Sequence, residues 1–562
     1  MNALRTTPAQ AVARLLPRRA DYAGLSRAWR GDLIAGATVG VVALPLALAF
    51  GITTGLGAEA GLITAIVAGL VAAVFGGSSV QVSGPTGAMA VVLVPVVARY
   101  GADAVLVVSI MAGLLVVTAA FLRLGRYLAF VPWPVVEGFT VGIAVIIFLQ
   151  QVPLALGVPK PDGENTALVA AKAVGDALDH GRGAALGLVV LVAAIMAVVP
   201  RLHRSLPASL LAVAVATTVG EVANLDVVRI GSLPSSLPLP SLPSVSVDQI
   251  SALFSAALAV AVLAALESLL SAKVADGMAD MPRHDPDREL FGQGLANIVS
   301  PLFGGMPATG AIARTAVNVR SGARTRVASI VHALVLVLVV FFAGDLVSRI
   351  PLAALAGVLM VTACRMVEVH NVRAVLRATH SDAVVLCLTA SATVAFDLIL
   401  AVEVGLAAAA VLALRHVART AQVTPMSSEE LDRDRSDSLL HQGILTYRLD
   451  GALFFGAAQR FLTELTAVSD AKVVVLRLPD IQMLDATGAQ ALGEIVAELE
   501  HRGITVLLKG PRAEHLRVLA ATGALDRLAH ENHLFHDLDA ALVHAQSHVD
   551  RARDADQEPA VA

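Results

Sequence analysis

A Phe-Gly-Gly triplet that is followed within ten residues by a threonine–glycine pair occurs twice in this 562-residue chain, once in each half of its apolar part. Phe75–Gly77 precedes Pro85–Ala90, and Phe303–Gly305 precedes Ala308–Ala313. The residues Val80–Ser83, which lead into the first phrase, are predicted to be extended. Threonine hydroxyls and the backbone N–H groups of glycine-rich turns are both hydrogen-bond donors. The duplicated phrase therefore indicates a site for a small anion, built from equivalent parts of two repeats.

Both phrases open apolar segments, at 85–97 and 309–319, that are too short to cross a membrane alone. Paired short segments in corresponding halves of a chain are the best sequence indication of a transporter's substrate site. A helix that begins inside the membrane leaves backbone N–H groups unpaired and carries partial positive charge at that end. Two such ends would hold an anion between Thr86 and Thr309. The alternative is that the small residues only permit close helix packing.

Two ionisable side chains lie inside apolar segments close to these phrases. Glu267 lies within the predicted span 251–273, where a carboxylate is costly and is by default a functional candidate. Its position suits a proton carrier. Arg314 lies one turn inside the second short segment, where a guanidinium could complement an anion. The structural alternatives are that Glu267 accepts hydrogen bonds from a neighbouring helix, and that Arg314 pairs with Glu267 or extends to the cytoplasmic side.

The elements that must position these residues are membrane spans. The chain is 56% hydrophobic and 15% charged, whereas soluble domains average about 25% charged residues. A spanning helix needs roughly 20 mainly apolar residues, and the candidates are 33–52, 58–76, 103–123, 132–151, 183–200, 206–223, 251–273, 325–346, 351–368, 381–398 and 400–416. With a shorter candidate at 289–303 and the two short segments, the total is about fourteen elements. The repeat divides them into two halves of seven, and because seven is odd the second half must be inverted.

Basic residues test this topology, because cytoplasmic loops of membrane proteins carry an excess of lysine and arginine. If the N-terminal segment 1–30 is cytoplasmic, the loops on that side hold basic residues that include Arg123, Arg201, Arg288, Arg324 and Arg373. We therefore predict a multi-pass protein of the cytoplasmic membrane with both termini in the cytoplasm. No small-residue cleavage site closes a short hydrophobic core, so the first span is predicted to be retained.

The remaining composition argues against several classes of protein. The net charge of −4 gives no reason to expect nucleic-acid binding. Cys364 and Cys387 lie in or beside apolar runs, so neither a disulfide nor a zinc site is expected. No nucleophile–base pair, cofactor loop or metal-ligand spacing is recognised. We therefore predict neither an enzyme nor a bound cofactor or metal.

The sequence changes character after the transmembrane domain, which is predicted to cover 31–418. Predicted strands at 443–449, 472–478 and 505–509 alternate with predicted helices at 457–465, 488–500 and 511–521. Strands that alternate with helices indicate a small α/β domain, which we place at 427–548 in the cytoplasm. The residues 549–562 are predicted to be a disordered tail.

At the level of motifs, the chain resembles the SulP anion permeases, a family that includes prestin-like exchangers and cyanobacterial sodium-bicarbonate transporters. The resemblance covers nearly the whole length and depends on Gly31–Asp32, Ala43–Gly51, Gln81–Gly87, Glu267–Ser271, Ala311–Asn318 and Leu484–Gly488. It implies an α-helical membrane protein with a fourteen-element (7+7) inverted repeat, in which a core domain moves against a gate domain like an elevator. It also implies a C-terminal STAS domain and a homodimer.

The resemblance also implies roles for individual residues. Substrate-binding roles fall on Phe50, Thr86, Gly87, Ala308, Thr309, Gly310 and Arg314, and ion-coupling roles on Glu267 and Ser271. Sodium-bicarbonate members carry an aspartate where Glu267 stands and lack an arginine at the position of Arg314, which favours coupling to protons over sodium. In the STAS loop, Thr487 is the hydroxyl that could be phosphorylated.

The leading hypothesis is proton-coupled uptake of sulfate, bicarbonate or a small dicarboxylate from one side of the lipid bilayer to the other. The alternatives are a sodium-coupled bicarbonate symporter, an uncoupled anion exchanger, and a sensor whose STAS domain reports anion occupancy to a partner. Uracil and xanthine permeases share the inverted repeat, but Arg314 and the STAS domain argue against that class. The identity of the anion stays open, because hydroxyls, backbone N–H groups and one arginine suit any small oxyanion.

Overall fold

A computed structural model of the chain describes residues 14–163, 165–180, 183–203, 206–231, 238–241, 247–278, 281–396, 398–420, 422–425, 443–454 and 471–557. The chain divides into two compact units, Met1–Leu406 and Ala407–Ala562. The division falls inside the helix Leu398–Thr420, N-terminal to the boundary predicted at residue 418. The physical reason is that Ala418, near the end of this helix, packs into the hydrophobic core of the second unit.

Between Leu25 and Thr420 the described residues form seventeen α-helices. They are α1 (Leu25–Thr54), α2 (Ala58–Phe75), α3 (Gly87–Tyr100), α4 (Asp103–Phe121), α5 (Trp133–Gln150), α6 (Val152–Leu156), α7 (Thr166–His180), α8 (Gly183–Leu202), α9 (Ala208–Val222), α10 (Val247–Met278), α11 (Pro286–Leu302), α12 (Ile312–Arg320), α13 (Val327–Ser348), α14 (Leu352–Met366), α15 (Val369–Ala378), α16 (His380–Ala395) and α17 (Leu398–Thr420). All except α6, α7 and α15 correspond to one of the fourteen predicted elements. Short 3-10 helices occur at Arg19–Tyr22 and Leu124–Phe130.

Among the described residues, eight helical segments are long and apolar enough to cross a membrane, and three shorter apolar helices accompany them. The shorter ones are α3, α9 and α16. Two strands of two residues each, β1 (Ser83–Gly84) and β2 (Thr309–Gly310), interrupt the helical unit and lie just before α3 and α12. The protein is therefore a multi-pass helical membrane protein with an interrupted segment in each half.

Small residues allow α1 and α2 to pack with their backbones in contact. A methyl group at Gly61 would lie 1.9 Å from the carbonyl oxygen of Ala47, and one at Gly51 would lie 2.3 Å from the carbonyl oxygen of Gly57. Close approach through small residues is the main source of helix association inside a membrane, where van der Waals packing replaces the hydrophobic effect. This contact fixes α1, which carries Phe50, against α2.

We expect Gly61→Val to force α1 away from α2 and to destabilise the membrane unit by about 1–3 kcal/mol, the usual cost of overpacking. The measurement is the thermal midpoint of the detergent-solubilised protein, followed by size-exclusion chromatography after heating. Gly344→Val is the matched control, because a side chain at Gly344 of α13 meets no atom within 4 Å. Equal midpoints for the two variants would contradict the backbone contact.

The segment before α1 is attached to α11 by a buried ion pair. Both terminal nitrogens of Arg288 donate to the carboxylate of Asp21, over 2.8 and 2.6 Å. Burial alone would raise the pKa of Asp21, but the Arg288 hydrogen bonds prevail and hold this pKa at about 2. The pair is therefore charged at physiological pH and ties the start of the chain to the helix that supports the site described below.

The C-terminal unit contains a six-stranded sheet in the order β3-β4-β5-β7-β8, with β6 paired to β4. The strands are β3 (Gln422–Pro425), β4 (Ile444–Leu453), β5 (Val473–Arg477), β6 (Ile481–Leu484), β7 (Thr505–Lys509) and β8 (Leu534–Phe535), and only the β3–β4 pair is antiparallel. The helices are α18 (Ala486–His501), α19 (Ala513–Ala521) and α20 (Leu538–Gln557). The predicted α/β domain is confirmed, although the helix predicted at 457–465 lies outside the described residues.

The prediction of a disordered tail from residue 549 is wrong for the part that the structure describes, because α20 continues to Gln557. Ala541, Ala545 and Val549 are buried along one face of this helix and pack in a cluster with Val475 and Leu507 of the sheet. These apolar residues repeat every four positions along one face of α20, and Val549 carries that face into the predicted tail.

Candidate functional site

The two repeated phrases meet at a backbone crossing. Strands β1 and β2 pair antiparallel, with Ser83 opposite Gly310 and Gly84 opposite Thr309. The N–H of Ala311 adds a further hydrogen bond of 2.9 Å to the carbonyl of Val82. Of the residues predicted to be extended, Val80–Ser83, the last lies in β1. Because each strand leads directly into a short helix, α3 and α12 begin on the two sides of one crossing.

Neither short helix is capped by a side chain at its N-terminus. Thr86 is the N-cap of α3 and Ala311 is the N-cap of α12, and neither side chain bonds to the first turn. The first N–H groups of a helix have no partner within it and concentrate partial positive charge there. The second helix begins at Ile312 and not at the predicted 309, because Thr309 and Gly310 are used in the strand pair. Arg314 therefore lies in the first turn of α12, earlier than predicted.

One carboxylate oxygen joins the two phrases. The hydroxyl of Thr86 donates to Oε2 of Glu267 over 2.9 Å, and the hydroxyl of Thr309 donates to the same atom over 2.6 Å. Hydrogen bonds to an ionised acceptor are roughly twice as strong as those between neutral groups. Glu267 lies in α10, and its carboxylate is bonded to both threonine hydroxyls.

Arg314 also connects the two halves of the chain. Its guanidinium is buried, with 2% of the residue exposed, and Nη2 donates to the carbonyl of Pro85 just before α3. Its Nη1 is buried without a hydrogen-bond partner in the described part of the chain. The predicted alternative of an ion pair with Glu267 does not occur, although the two opposite charges interact. Arg314 thus places a buried positive charge beside the first short helix.

Phe50 lies close to Gly87 at the start of α3. A methyl group at Gly87 would lie 3.3 Å from Cε1 of Phe50 and 2.2 Å from Cδ1 of Ile147. The absence of a side chain at Gly87 therefore lets α1 and α5 approach the N-terminus of α3. This brings an aromatic ring next to the unpaired N–H groups of that helix.

Three further predicted residues have their polar groups engaged by the protein. The N–H and carbonyl of Ala308 are both bonded to the side chain of Asn297, over 2.9 Å each. The N–H of Gly310 donates to Ser268 over 3.0 Å. The hydroxyl of Ser271 donates to Thr315 over 3.0 Å and does not contact Glu267. In this structure these groups hold the crossing in place, and Glu267, Thr86, Thr309 and Arg314 are the side chains that converge.

A ladder of polar side chains on α11 supports the crossing and was not recognised in the sequence. Glu289 accepts hydrogen bonds from the N–H groups of Gly77 and Ser78, over 2.8 and 3.0 Å. Gln293 donates to the hydroxyl of Ser83, and Asn297 binds Ala308. The three residues are four apart, so they lie on one helix face. Polar residues at this four-residue spacing, within a predicted membrane segment, could have indicated from the sequence that α11 has a polar buried face.

We expect Asn297→Leu to leave the N–H and carbonyl of Ala308 buried and unpaired, at a cost of about 1–3 kcal/mol for each group. The thermal midpoint should fall and substrate uptake should fall with it, because Thr309 loses its fixed position. Asn371→Leu, which removes an amide bonded to the carboxylates of Glu137 and Glu368, is the control. A thermal midpoint unchanged by Asn297→Leu would show that this amide does not hold the crossing.

These features define a class of protein. Two interrupted segments, one from each half of a helical membrane unit, meet at a partly buried carboxylate and a buried guanidinium. Backbone that is irregular within a membrane is tolerated where it is buried in protein or lines a cavity, and secondary transporters build their sites in this way. The class of protein that this fold indicates is a secondary transporter.

The sequence places the chain in a family. Residues 29–389 match the Sulfate permease family, and residues 437–541 match the STAS domain. The chain belongs to the sulfate permease family. It is 35% identical over 512 residues to the protein named "Putative sulfate transporter YvdB" of Bacillus subtilis, which covers 90% of this chain and 96% of that protein. It is 30% identical over 531 residues to the bicarbonate transporter BicA of Synechocystis, which covers 91% and 93% of the two chains.

Solved structures agree with this placement. The transmembrane domain of the cyanobacterial bicarbonate transporter BicA is 32% identical with a TM-score of 0.62, over 68% of this chain and 98% of that chain. The murine Solute Carrier 26 family member A9 anion transporter in the inward-facing state gives a TM-score of 0.83 at 16% identity, over 97% and 96% of the chains. The second likeness shows the fold alone. The predicted family, fold class and STAS domain are confirmed.

Proposed function

We propose that the protein is a secondary transporter that carries a small anion together with a proton across the cytoplasmic membrane. The observation that carries this proposal is that Thr86 and Thr309 donate to the same oxygen of Glu267. The two hydroxyls available to an anion at the helix ends are occupied by a carboxylate of the protein itself. An incoming anion must therefore displace the Glu267 carboxylate, or bind while this group is protonated and uncharged.

Protonation of Glu267 resolves this competition. A charged carboxylate and a bound anion repel each other strongly at short range in a poorly solvated site. A proton on Glu267 removes the negative charge and frees the hydroxyls of Thr86 and Thr309 for the anion. Because the anion binds best to the protonated site, the anion in turn raises the affinity of the site for the proton. Binding of the two is coupled, which is the requirement for symport.

The remaining electrostatics of the site favour a small oxyanion. Once Glu267 is neutral, the buried Arg314 and the partial charges of two uncapped helix ends leave the site positive. The relatives are named as sulfate and bicarbonate transporters. We therefore propose sulfate or bicarbonate as cargo, with a small dicarboxylate as the third candidate.

The movement that carries the cargo is proposed to be of the elevator type within a homodimer whose termini are cytoplasmic. Two findings support this proposal. The sequence motifs resemble those of the SulP permeases, and hydrogen bonds hold the residues of the crossing together. The strand pair, the Arg314–Pro85 hydrogen bond and the ladder on α11 tie both short helices into one group. A site held in this way can move as a rigid body while its access changes from one side of the membrane to the other.

A second candidate is sodium-coupled bicarbonate transport, favoured by the oxygen-rich composition of the site. The carboxylate of Glu267 and the hydroxyls of Thr86 and Thr309 are hard oxygen ligands, which alkali and alkaline-earth cations prefer. An uncoupled exchanger remains the third possibility, since anion binding between the helix ends needs no cation.

Uptake into proteoliposomes tests these candidates. Radiolabelled sulfate, bicarbonate and fumarate are each supplied under an inward proton gradient, an inward sodium gradient, or no gradient with unlabelled anion inside. Uptake driven only by the proton gradient is the expected result. Uptake driven only by sodium would overturn proton coupling, and counterflow without response to either gradient would identify an exchanger.

A further inference from the structure

Three histidines of the C-terminal unit meet at a point that the anion site does not use. His533 ends the 3-10 helix Glu531–His533, and His544 and His548 lie on α20. One ring nitrogen from each lies within 4.8 Å of the other two. His544 and His548 are four residues apart and therefore share a helix face. His533 reaches the same face because it lies directly before β8 at the edge of the sheet.

The spacing of the ring nitrogens matches metal ligation. The Nε2 atoms of His544 and His548 face each other at 3.2 Å. Zinc binds imidazole nitrogen at about 2.0–2.1 Å with tetrahedral angles, which places two nitrogen ligands about 3.3–3.4 Å apart. The helix pair therefore already has the separation of two ligands on one ion. The ring nitrogen of His533 lies within 4.8 Å of those of His544 and His548. It needs to move toward them by no more than roughly 1.5 Å to reach the same tetrahedral spacing.

The environment of His533 gives a second, independent observation. Only 3% of this residue is exposed, and its Nδ1 is buried without a hydrogen-bond partner among the described residues. The backbone of Val506 also lies beside this ring. Histidine ligands of metals commonly donate their second N–H to a backbone carbonyl, which fixes the ring for ligation. A hydrogen bond between His544 and His548 accounts for those two rings but leaves the Nδ1 of His533 unexplained.

We propose that His533, His544 and His548 bind one divalent transition-metal ion, with zinc as the expected occupant and water as the fourth ligand. Imidazole suits zinc, copper and nickel, whereas magnesium and calcium prefer oxygen. The ion fastens the polar helix α20 to the edge of the sheet beside β8. No metal-ligand spacing was predicted here, because the i, i+4 pair supplies only two ligands and the third lies on another element.

The test uses the full-length protein, purified in detergent with an affinity tag free of histidine and stripped with EDTA. Equilibrium dialysis against buffered zinc, followed by mass spectrometry of the bound metal, gives stoichiometry and affinity. One zinc per chain is expected, and an excess of magnesium should not displace it. His544→Gln and His548→Gln should each weaken binding at least roughly tenfold, the lower range for disturbed metal sites. Both positions are partly exposed, so both variants should remain folded.

His536→Gln is the matched control, because this histidine lies in the same segment but is exposed and outside the cluster. Cobalt gives a second readout, since a bound ion with three nitrogen ligands shows visible absorption that should vanish in His548→Gln. Equal zinc binding by the wild type and the His544→Gln/His548→Gln double variant would overturn the proposal. The proposal would also be overturned if the wild-type protein bound no zinc at micromolar free zinc. This outcome is independent of whether the protein transports an anion.

Discussion

Glu267→Gln is expected to abolish uptake driven by a proton gradient while some anion binding remains. The substitution keeps the shape of the side chain and an oxygen that Thr86 and Thr309 can bond, but it removes the site for the proton. Wild-type uptake should rise as the external pH is lowered, because protonation removes the charge that repels the anion. The variant should lose this dependence. The measurement is initial uptake in proteoliposomes over a series of external pH values, with anion counterflow and equilibrium binding measured in parallel.

Glu403→Gln is the control for this experiment, because Glu403 is an exposed carboxylate of the helix α17 and should leave the pH profile unchanged. A wild-type pH profile in Glu267→Gln would remove this residue from the coupling mechanism. Loss of both transport and binding together, with the thermal midpoint also lowered, would indicate that the carboxylate serves only to hold the two phrases together.

The second large effect is expected from Arg314→Ala. The variant removes the buried positive charge and leaves the carbonyl of Pro85 without its donor. A hydrogen bond that involves a charged group contributes about 1.5–3 kcal/mol, so the apparent affinity for the anion should fall roughly tenfold to one-hundred-fold. Concentration dependence of uptake, with equilibrium anion binding to the detergent-solubilised protein, measures the change.

Arg320→Ala provides the comparison, since Arg320 ends the same helix but is exposed. It should retain wild-type affinity. Arg314→Lys distinguishes charge from geometry: if charge alone matters, lysine restores most of the affinity, whereas a need for the guanidinium hydrogen bond to Pro85 leaves it weak. An Arg314→Ala protein with unchanged affinity would mean that the helix ends suffice to hold the anion.

The positions of the helices could be predicted because they depend on local properties. Runs of about 20 apolar residues must be helical within a bilayer, since every backbone group needs a partner in its own segment. The fourteen predicted elements differ from the observed helices mainly at their ends, as for α1, which begins at Leu25 and not at 33. The start of α12 was misplaced because a strand pair with the other half of the chain competes with the helix for Thr309 and Gly310.

The sequence by itself determined the membrane class, the approximate positions of fourteen of the seventeen helices, the two interrupted segments and the candidate charges, because composition, length and repetition are properties of neighbouring residues. Only the tertiary structure decided which polar groups meet. Glu267 accepts from Thr86 across 181 residues of sequence, and Ser271, one turn away on the same helix, bonds to Thr315 and not to the carboxylate. The histidine cluster likewise needs two elements to be packed together, the 3-10 helix before β8 and α20. Hydrogen-bond partners inside a protein are set by where packed elements come together, and one-dimensional spacing does not contain that information.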